Sequence, residues 1–235
     1  MTNHYVAPTI ERIEARRLLR KSIVFQGLEP SDLSKLESSV EFRTFEMGET
    51  VFLQSSPCTS FYIVSRGLVK VSICSPSGMQ VTYLLAEEGE PLNLVGPFTS
   101  EPRLLAASTL SQSHLAIIPQ QPFLSFVYQH PMVIRNIMCI LGQAIDSANQ
   151  RIIDMFEKPV DMRLRKVLRT LHRKFGNPLT FTSLELADLA GTTVESALRA
   201  MSRLRRAGLV RSKRREIYIL DADELETQCQ EILWV

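Results

Sequence analysis

Residues 192–208 read TTVESALRAMSRLRRAG, and within them Glu195 and Arg199 stand four positions apart. On a helix that spacing puts both side chains on one face. A carboxylate and a guanidinium so placed form an ordinary surface ion pair, worth about 0.3–0.5 kcal/mol. The same two groups can also read a base pair. The arginine fork matches O6 and N7 of guanine, and the carboxylate accepts from the amino group of cytosine. Val194 and Leu198 lie on the same face and offer apolar contact to a thymine methyl. Thr193 stands where an N-cap belongs, which brings the first helical turn toward the groove. Thr182, Thr192, Arg203, Lys213, Arg214 and Arg215 have the chemistry of phosphate contacts, which position a protein on DNA without specifying sequence.

The elements around these residues decide between the two readings. Thr182 and Glu185 have the spacing of a capping box, so a helix is predicted over 182–189. Gly191 suits a turn, and a second helix follows over 193–206, with Ala197, Met201 and Leu204 as its buried stripe. After Gly208, LVRSKRREIYIL predicts a basic hairpin, the wing of a winged helix-turn-helix. Charge is distributed to match. Residues 158–215 carry a balance of +11, against −3 for residues 1–157 and −6 for the last twenty. A positive field confined to one block is the electrostatic footprint of a nucleic-acid-binding domain.

Upstream, residues 131–157 carry Ile134, Met138, Leu141, Ile145, Ala148, Ile152 and Met155 at alternating steps of four and three. This is an a/d seam through three heptads and predicts a parallel homodimer helix, although a stripe of this kind could instead cover the rest of a monomer. Pro159 ends it. From about residue 40 to 118, short β-type runs (EFRTF, TVFL, FYIVS, LVKVSIC, QVTYLL, LLAAST, SHLAII) alternate with Gly, Pro and Ser turns. That spacing predicts an antiparallel roll. The expected fold class is therefore α+β: a sensor β-roll over residues 1–130, a dimerisation helix over 131–158 and a winged helix-turn-helix over 159–235.

Together, TSLELADLAGTTVESALRAMSRLRRAGLV, FRTFEMGETVFLQSSPCTSFYIVSRGLVKV and LAEEGE resemble the Crp/Fnr family, the cyclic-AMP receptor protein and fumarate–nitrate reduction regulators of bacteria. The resemblance covers roughly residues 20–220. It implies a cyclic-nucleotide-binding-like jelly roll that controls a DNA-binding domain, and a homodimer on a palindromic operator in double-stranded DNA. RNA polymerase is a further partner if the protein activates. In the family's E-x-x-x-R arrangement the pair maps onto Glu195 and Arg199 and reads a G·C pair of each half-site. Val194 resembles the fumarate–nitrate branch, which implies a TTGA-like half-site; Leu198 departs from that branch's serine.

For the sensor, the family's cyclic-nucleotide cassette needs a Glu for the ribose and an Arg-Ser or Arg-Thr for the cyclic phosphate. Here Asn93 and Leu94 replace the Gly-Glu, and Arg103 is followed by Leu104. A buried phosphate without charge-assisted partners is costly, so an effector other than cyclic AMP is expected. An apolar or weakly polar small molecule near Leu92, Leu94, Phe98, Leu104, Met138 and Leu141 is the leading reading. A cyclic-nucleotide response through Arg103 remains open, and so does a regulator with no ligand. A haem-based carbon monoxide or nitric oxide sensor is the alternative, with His114 or His130 as axial ligand and His4 or Pro8 as further candidates. An iron–sulfur cluster is not expected, because no cysteine precedes Cys58. Thiol redox sensing at Cys58 or Cys139 is a further option. The four cysteines form no C-x-x-C pair and suit a reducing cytoplasm. No nucleophile–base set, phosphate-cradling glycine loop or metal-ligand cluster is present, so an enzyme is not expected; nor is a membrane partner, since no apolar run approaches the roughly 18–20 residues of a span.

Overall fold

Among the described residues, the β-branched and aromatic runs of the N-terminal half form seven strands in two sheets. The computed structural model describes residues 8–76, 78–99, 101–213 and 216–225. Two helices come first, α1 (Pro8–Lys21) and α2 (Pro30–Glu37). The strands are β1 (Glu41–Phe45), β2 (Thr50–Phe52), β3 (Ser60–Arg66), β4 (Val69–Cys74), β5 (Gln80–Ala86), β6 (Ala106–Thr109) and β7 (Ser113–Pro119). One sheet runs β1-β7-β3 and the other β2-β6-β4-β5. Their inward residues, among them Phe45, Phe61, Ile63, Val71, Leu115 and Ile118, are fully buried, which is the stabilisation that alternating patterning supplies. Gly67 makes the β3–β4 turn possible. Its φ is +94°, and a Cβ there would stand under 3 Å from Ser113 and the Gln112 carbonyl.

Three long-period segments follow: α3 (Gln120–Gln129), α4 (Pro131–Glu157) and α5 (Val160–Phe175). Helix α3 lies in a stretch to which the sequence reading gave no element. QQPFLSFVYQ has a Pro in its third position and no extended polar face, so its amphipathic signal is short. Packing makes it a helix: Phe123 stacks on Phe61 with ring centroids 4.1 Å apart. The chain ends in α6 (Ser183–Ala190), α7 (Val194–Arg206) and the hairpin β8 (Val210–Lys213) and β9 (Glu216–Ile219).

The chain divides into two compact units. The first joins the residues before Gly78 to Leu84–Gly142, and the second joins Gly78–Tyr83 to the residues from Gln143 onward. Helix α4 contributes to both and carries two apolar stripes. Val133, Ile137, Ile140 and Ala144 are buried. The heptad residues Met138, Ile145, Ile152 and Met155 are each more than half exposed, while Ile134, Leu141 and Ala148 are half-buried. Among the described residues no helix is long and apolar enough to cross a membrane.

Candidate nucleic-acid interface

Helix α6 begins at a two-way cap. The Thr182 Oγ1 accepts from the Glu185 N–H at 3.2 Å, and a Glu185 carboxylate oxygen accepts from the Thr182 N–H at 2.6 Å. It ends at Gly191, whose left-handed φ of +60° turns the chain into α7. Thr193 caps α7 by accepting from the Ser196 N–H at 3.3 Å. Ala197, Ala200, Met201 and Leu204 bury one face of α7, and that fixes which residues face outward. Val194, Glu195, Leu198 and Arg199 all lie on the exposed side. Thr192 is half-buried at the turn, beside this face.

Glu195 and Arg199 meet as a salt bridge, Nη1 to Oε1 at 2.9 Å, with side chains 78% and 60% exposed. The Arg199 Nη2 also donates to Ser196 Oγ at 3.3 Å. Both are solvated, so the free-state pair is weak and the side chains can turn to another partner at little cost. Arg203 behaves differently. Its guanidinium makes a bidentate pair with Asp161 of α5, which holds the Asp161 carboxyl below its ordinary value by hydrogen bonding. Two of its donors are thus committed within the domain. Lys213 is exposed at the end of β8; Arg214 and Arg215 lie outside the described residues, as do His4 and the side chain of Pro8. The wing pairs Val210 with Ile219 and Lys213 with Glu216. A groove of about 370 Å³ between α7 and the wing includes Leu198, Arg205 and Ser212. The Asp161–Arg203 clamp was not foreseen: the partners are 42 residues apart and no short-range pattern links them.

In the roll, Arg103 is 4% exposed. Its guanidinium lies 4.1 Å over the Phe52 ring and 5.5 Å from that of Tyr62, and Nη2 donates to the Ser60 carbonyl at 3.4 Å. The Nε and Nη1 atoms are buried without a hydrogen-bond partner. Asn93 accepts from the Gly96 N–H at 3.1 Å and approaches Cys58 Sγ at 3.9 Å. Burial pushes the Cys58 thiol up from its ordinary value, against the opposing pull of Arg103 and of a backbone hydrogen bond from Ser60. Leu92 and Leu94 are core, whereas Phe98, Leu104 and Met138 are exposed. The residues named for an effector pocket therefore do not all face one cavity. Both ring nitrogens of His114 are turned to polar side chains: Nδ1 meets Thr44 Oγ1 at 3.1 Å and Nε2 faces Glu14 at 3.8 Å. The His130 Nδ1 meets the Phe126 carbonyl at 2.8 Å while its ring stacks on Phe126. Cys139 is exposed on α4.

A two-layer roll, a long helix and a winged helix-turn-helix whose second helix leaves one face exposed have the layout of a DNA-binding regulator, and comparison with known proteins agrees. Residues 42–130 match the cyclic nucleotide-binding domain family, and residues 162–228 match the Crp-like helix-turn-helix domain. The chain is 23% identical over 216 residues to a CRP-like cAMP-activated global transcriptional regulator of Mycobacterium tuberculosis, covering 88% of this chain and 96% of that one. It is 25% identical over 218 residues to the nitrogen fixation regulation protein FixK of Bradyrhizobium diazoefficiens, covering 88% and 90%. Among solved structures, the c-di-GMP-responsive global regulator CLP of Xanthomonas campestris superposes with a TM-score of 0.73 at 20% identity, over 81% of this chain and 99% of that one. The chain belongs to the Crp/Fnr family of DNA-binding transcription regulators. These relatives regulate transcription and are not enzymes.

Proposed function

We propose that this protein is a homodimeric, sequence-specific regulator that places one α7 in the major groove of each half of a palindromic operator. The observation that carries the reading is the capped, one-sided exposure of Val194, Glu195, Leu198 and Arg199 on a helix whose other face is buried. On DNA the weak Glu195–Arg199 pair opens, Arg199 turning to guanine and Glu195 to cytosine. Val194 favours a TTGA-like half-site. The exposed 4-3 stripe of α4 supports pairing with a second copy, because a monomer leaves those apolar side chains in water. The effector we assign to the roll is a small molecule other than cyclic AMP, with a polar or anionic group reaching Nε and Nη1 of Arg103. That reading rests on buried, unpartnered donors. Leu104 is exposed, and offers no hydroxyl to a phosphate. Haem finds less support: His114 is committed to Thr44 and Glu14, and the cavity beside it is lined by Glu14, Thr44, Arg66, Gln112 and Ser113, a polar wall unsuited to a macrocycle.

Fluorescence anisotropy on duplexes carrying palindromic TTGA or TGTGA half-sites tests the operator. Tighter binding to TTGA, lost when its G·C pair is changed, is expected. Equal affinity for both duplexes and for unrelated DNA would refute the sequence reading. A visible spectrum after haem reconstitution tests the alternative; a Soret band that vanishes in His130→Ala would restore it.

A further inference from the structure

Within the C-terminal unit, the end of α4 packs on α5 and on the last turn of α6 around a cavity of about 60 Å³. A single water needs about 10–15 Å³ by the same measure, so a tetrahedral or planar oxyanion has room. One wall is apolar, with Met155, Val167, Leu189 and Ala190; the other carries Arg151, Arg163 and Lys166. Asp154 is the one carboxylate among the described lining residues, and it is already bonded to three side-chain donors. It accepts from Lys166 at 2.5 Å, from Lys158 at 2.9 Å and from Gln150 at 3.1 Å.

Positive charge therefore exceeds negative in a half-open cleft. The end of α6 absorbs part of the excess, as helix C-termini do. The Arg151 Nη2 donates to the Leu189 carbonyl at 3.1 Å, and its Nη1 to the Thr82 carbonyl at 2.7 Å. Arg163 reaches the Gly191 carbonyl with Nη2 at 3.4 Å, but its Nε is buried with no hydrogen-bond partner. A buried donor left unmade costs about 1–3 kcal/mol, and charged donors cost more. Burial also draws the Arg151 pKa down, the signature of a desolvated cation with no carboxylate to compensate it.

We infer that this elbow cavity binds a small organic oxyanion, a carboxylate or a phosphate ester, through Arg163 Nε and Lys166 Nζ, with its apolar end against Met155 and Val167. Arg151 contributes charge rather than a direct bond. An occupant would tie α4 to α5 and to the end of α6, beside the Gly191 turn that leads into the reading helix, and so would bias how α7 is presented. That consequence rests on the DNA-binding reading; the binding itself does not.

The test uses the full chain, with inorganic phosphate and n-butyrate as probes against chloride at matched ionic strength. The Arg163 Nε–H NMR resonance, assigned with Arg163→Lys, should shift saturably with one probe or both, which separates phosphate from carboxylate preference. The apparent Kd from thermal unfolding should rise about tenfold or more in Arg163→Met and stay unchanged in Arg43→Met, at an exposed arginine of the roll. An unmoved Nε–H overturns the proposal, as does binding that survives Arg163→Met but disappears in Arg103→Met, which would put the anion in the roll. Should Arg163→Met fail to fold, Arg163→Lys, which keeps the charge and lacks Nε, gives the same comparison. Saturable anion binding by a protein that binds no duplex would sink the regulatory consequence and leave the site standing.

Discussion

The Glu195–Arg199 pair separates what a residue does in the free protein from what the proposed function asks of it on DNA. Free, it is a solvated ion pair whose loss would hardly change stability. On an operator, Arg199→Ala should cost about 1–3 kcal/mol and blur one base preference while leaving the unfolding midpoint in place. Titration of specific and scrambled duplexes reads both numbers; an unchanged specificity ratio would remove Arg199 from the interface. Arg203 makes the opposite case. Its bidentate bond to Asp161 ties α7 to α5, so Arg203→Ala should lower the unfolding midpoint and leave the salt dependence of DNA affinity as it was. A salt slope shallower by about one phosphate would instead make it a backbone contact. The sequence placed Arg199 correctly on the exposed face because helical period alone decides that. It could not place Arg203, because a tertiary partner 42 residues away uses the same donors.

At the scale of elements, the caps and turns were the most legible features, since each depends on residues within four positions. Thr182, Glu185, Gly191 and Thr193 all stand where short-range hydrogen bonding predicts. Helix α3 was invisible because only its contact with β3 settles its conformation. The second stripe of α4 was also hidden, since a 4-3 seam and its neighbour one position earlier are both apolar. Nothing in the sequence announced the elbow between α4 and α5. There burial works to raise the Asp154 carboxyl, but hydrogen bonds from Lys166, Lys158 and Gln150 outweigh it and hold the group below its ordinary value. A carboxylate lowered in the folded state stabilises fully above its unfolded value, near pH 4, and that contribution drains away as pH falls through the lowered one. Asp154→Asn should therefore cost about 3 kcal/mol at neutral pH, because it removes the buried carboxylate that both Lys158 and Lys166 bond. The cost should shrink in acid. Chemical denaturation of both proteins at pH 7 and at pH 3 measures it, and an equal difference at the two values would remove Asp154 from the account.

For the whole molecule, the proposed dimer has to cover an apolar stripe and fit two reading helices to a palindrome. Residues Met138, Ile145, Ile152 and Met155 are exposed on α4, so charge can be introduced there without opening the buried core. Ile145→Asp combined with Ile152→Asp should leave the fold intact and give a monomer by sedimentation. Two reading helices joined through one dimer bind half-sites one helical turn apart, about 34 Å, as a single ligand. The double variant should then lose most of its affinity for a full palindrome and keep its weak affinity for an isolated half-site. The salt response should follow, because each chain brings the basic block of residues 158–215. Log affinity for the palindrome should fall with log salt by about 0.9 per phosphate contacted. The variant's slope should be about half that of the parent, since one domain reaches half the phosphates. A variant that stays dimeric, or a monomer with the parent's full slope, would mean that the seam is not what joins the two reading helices.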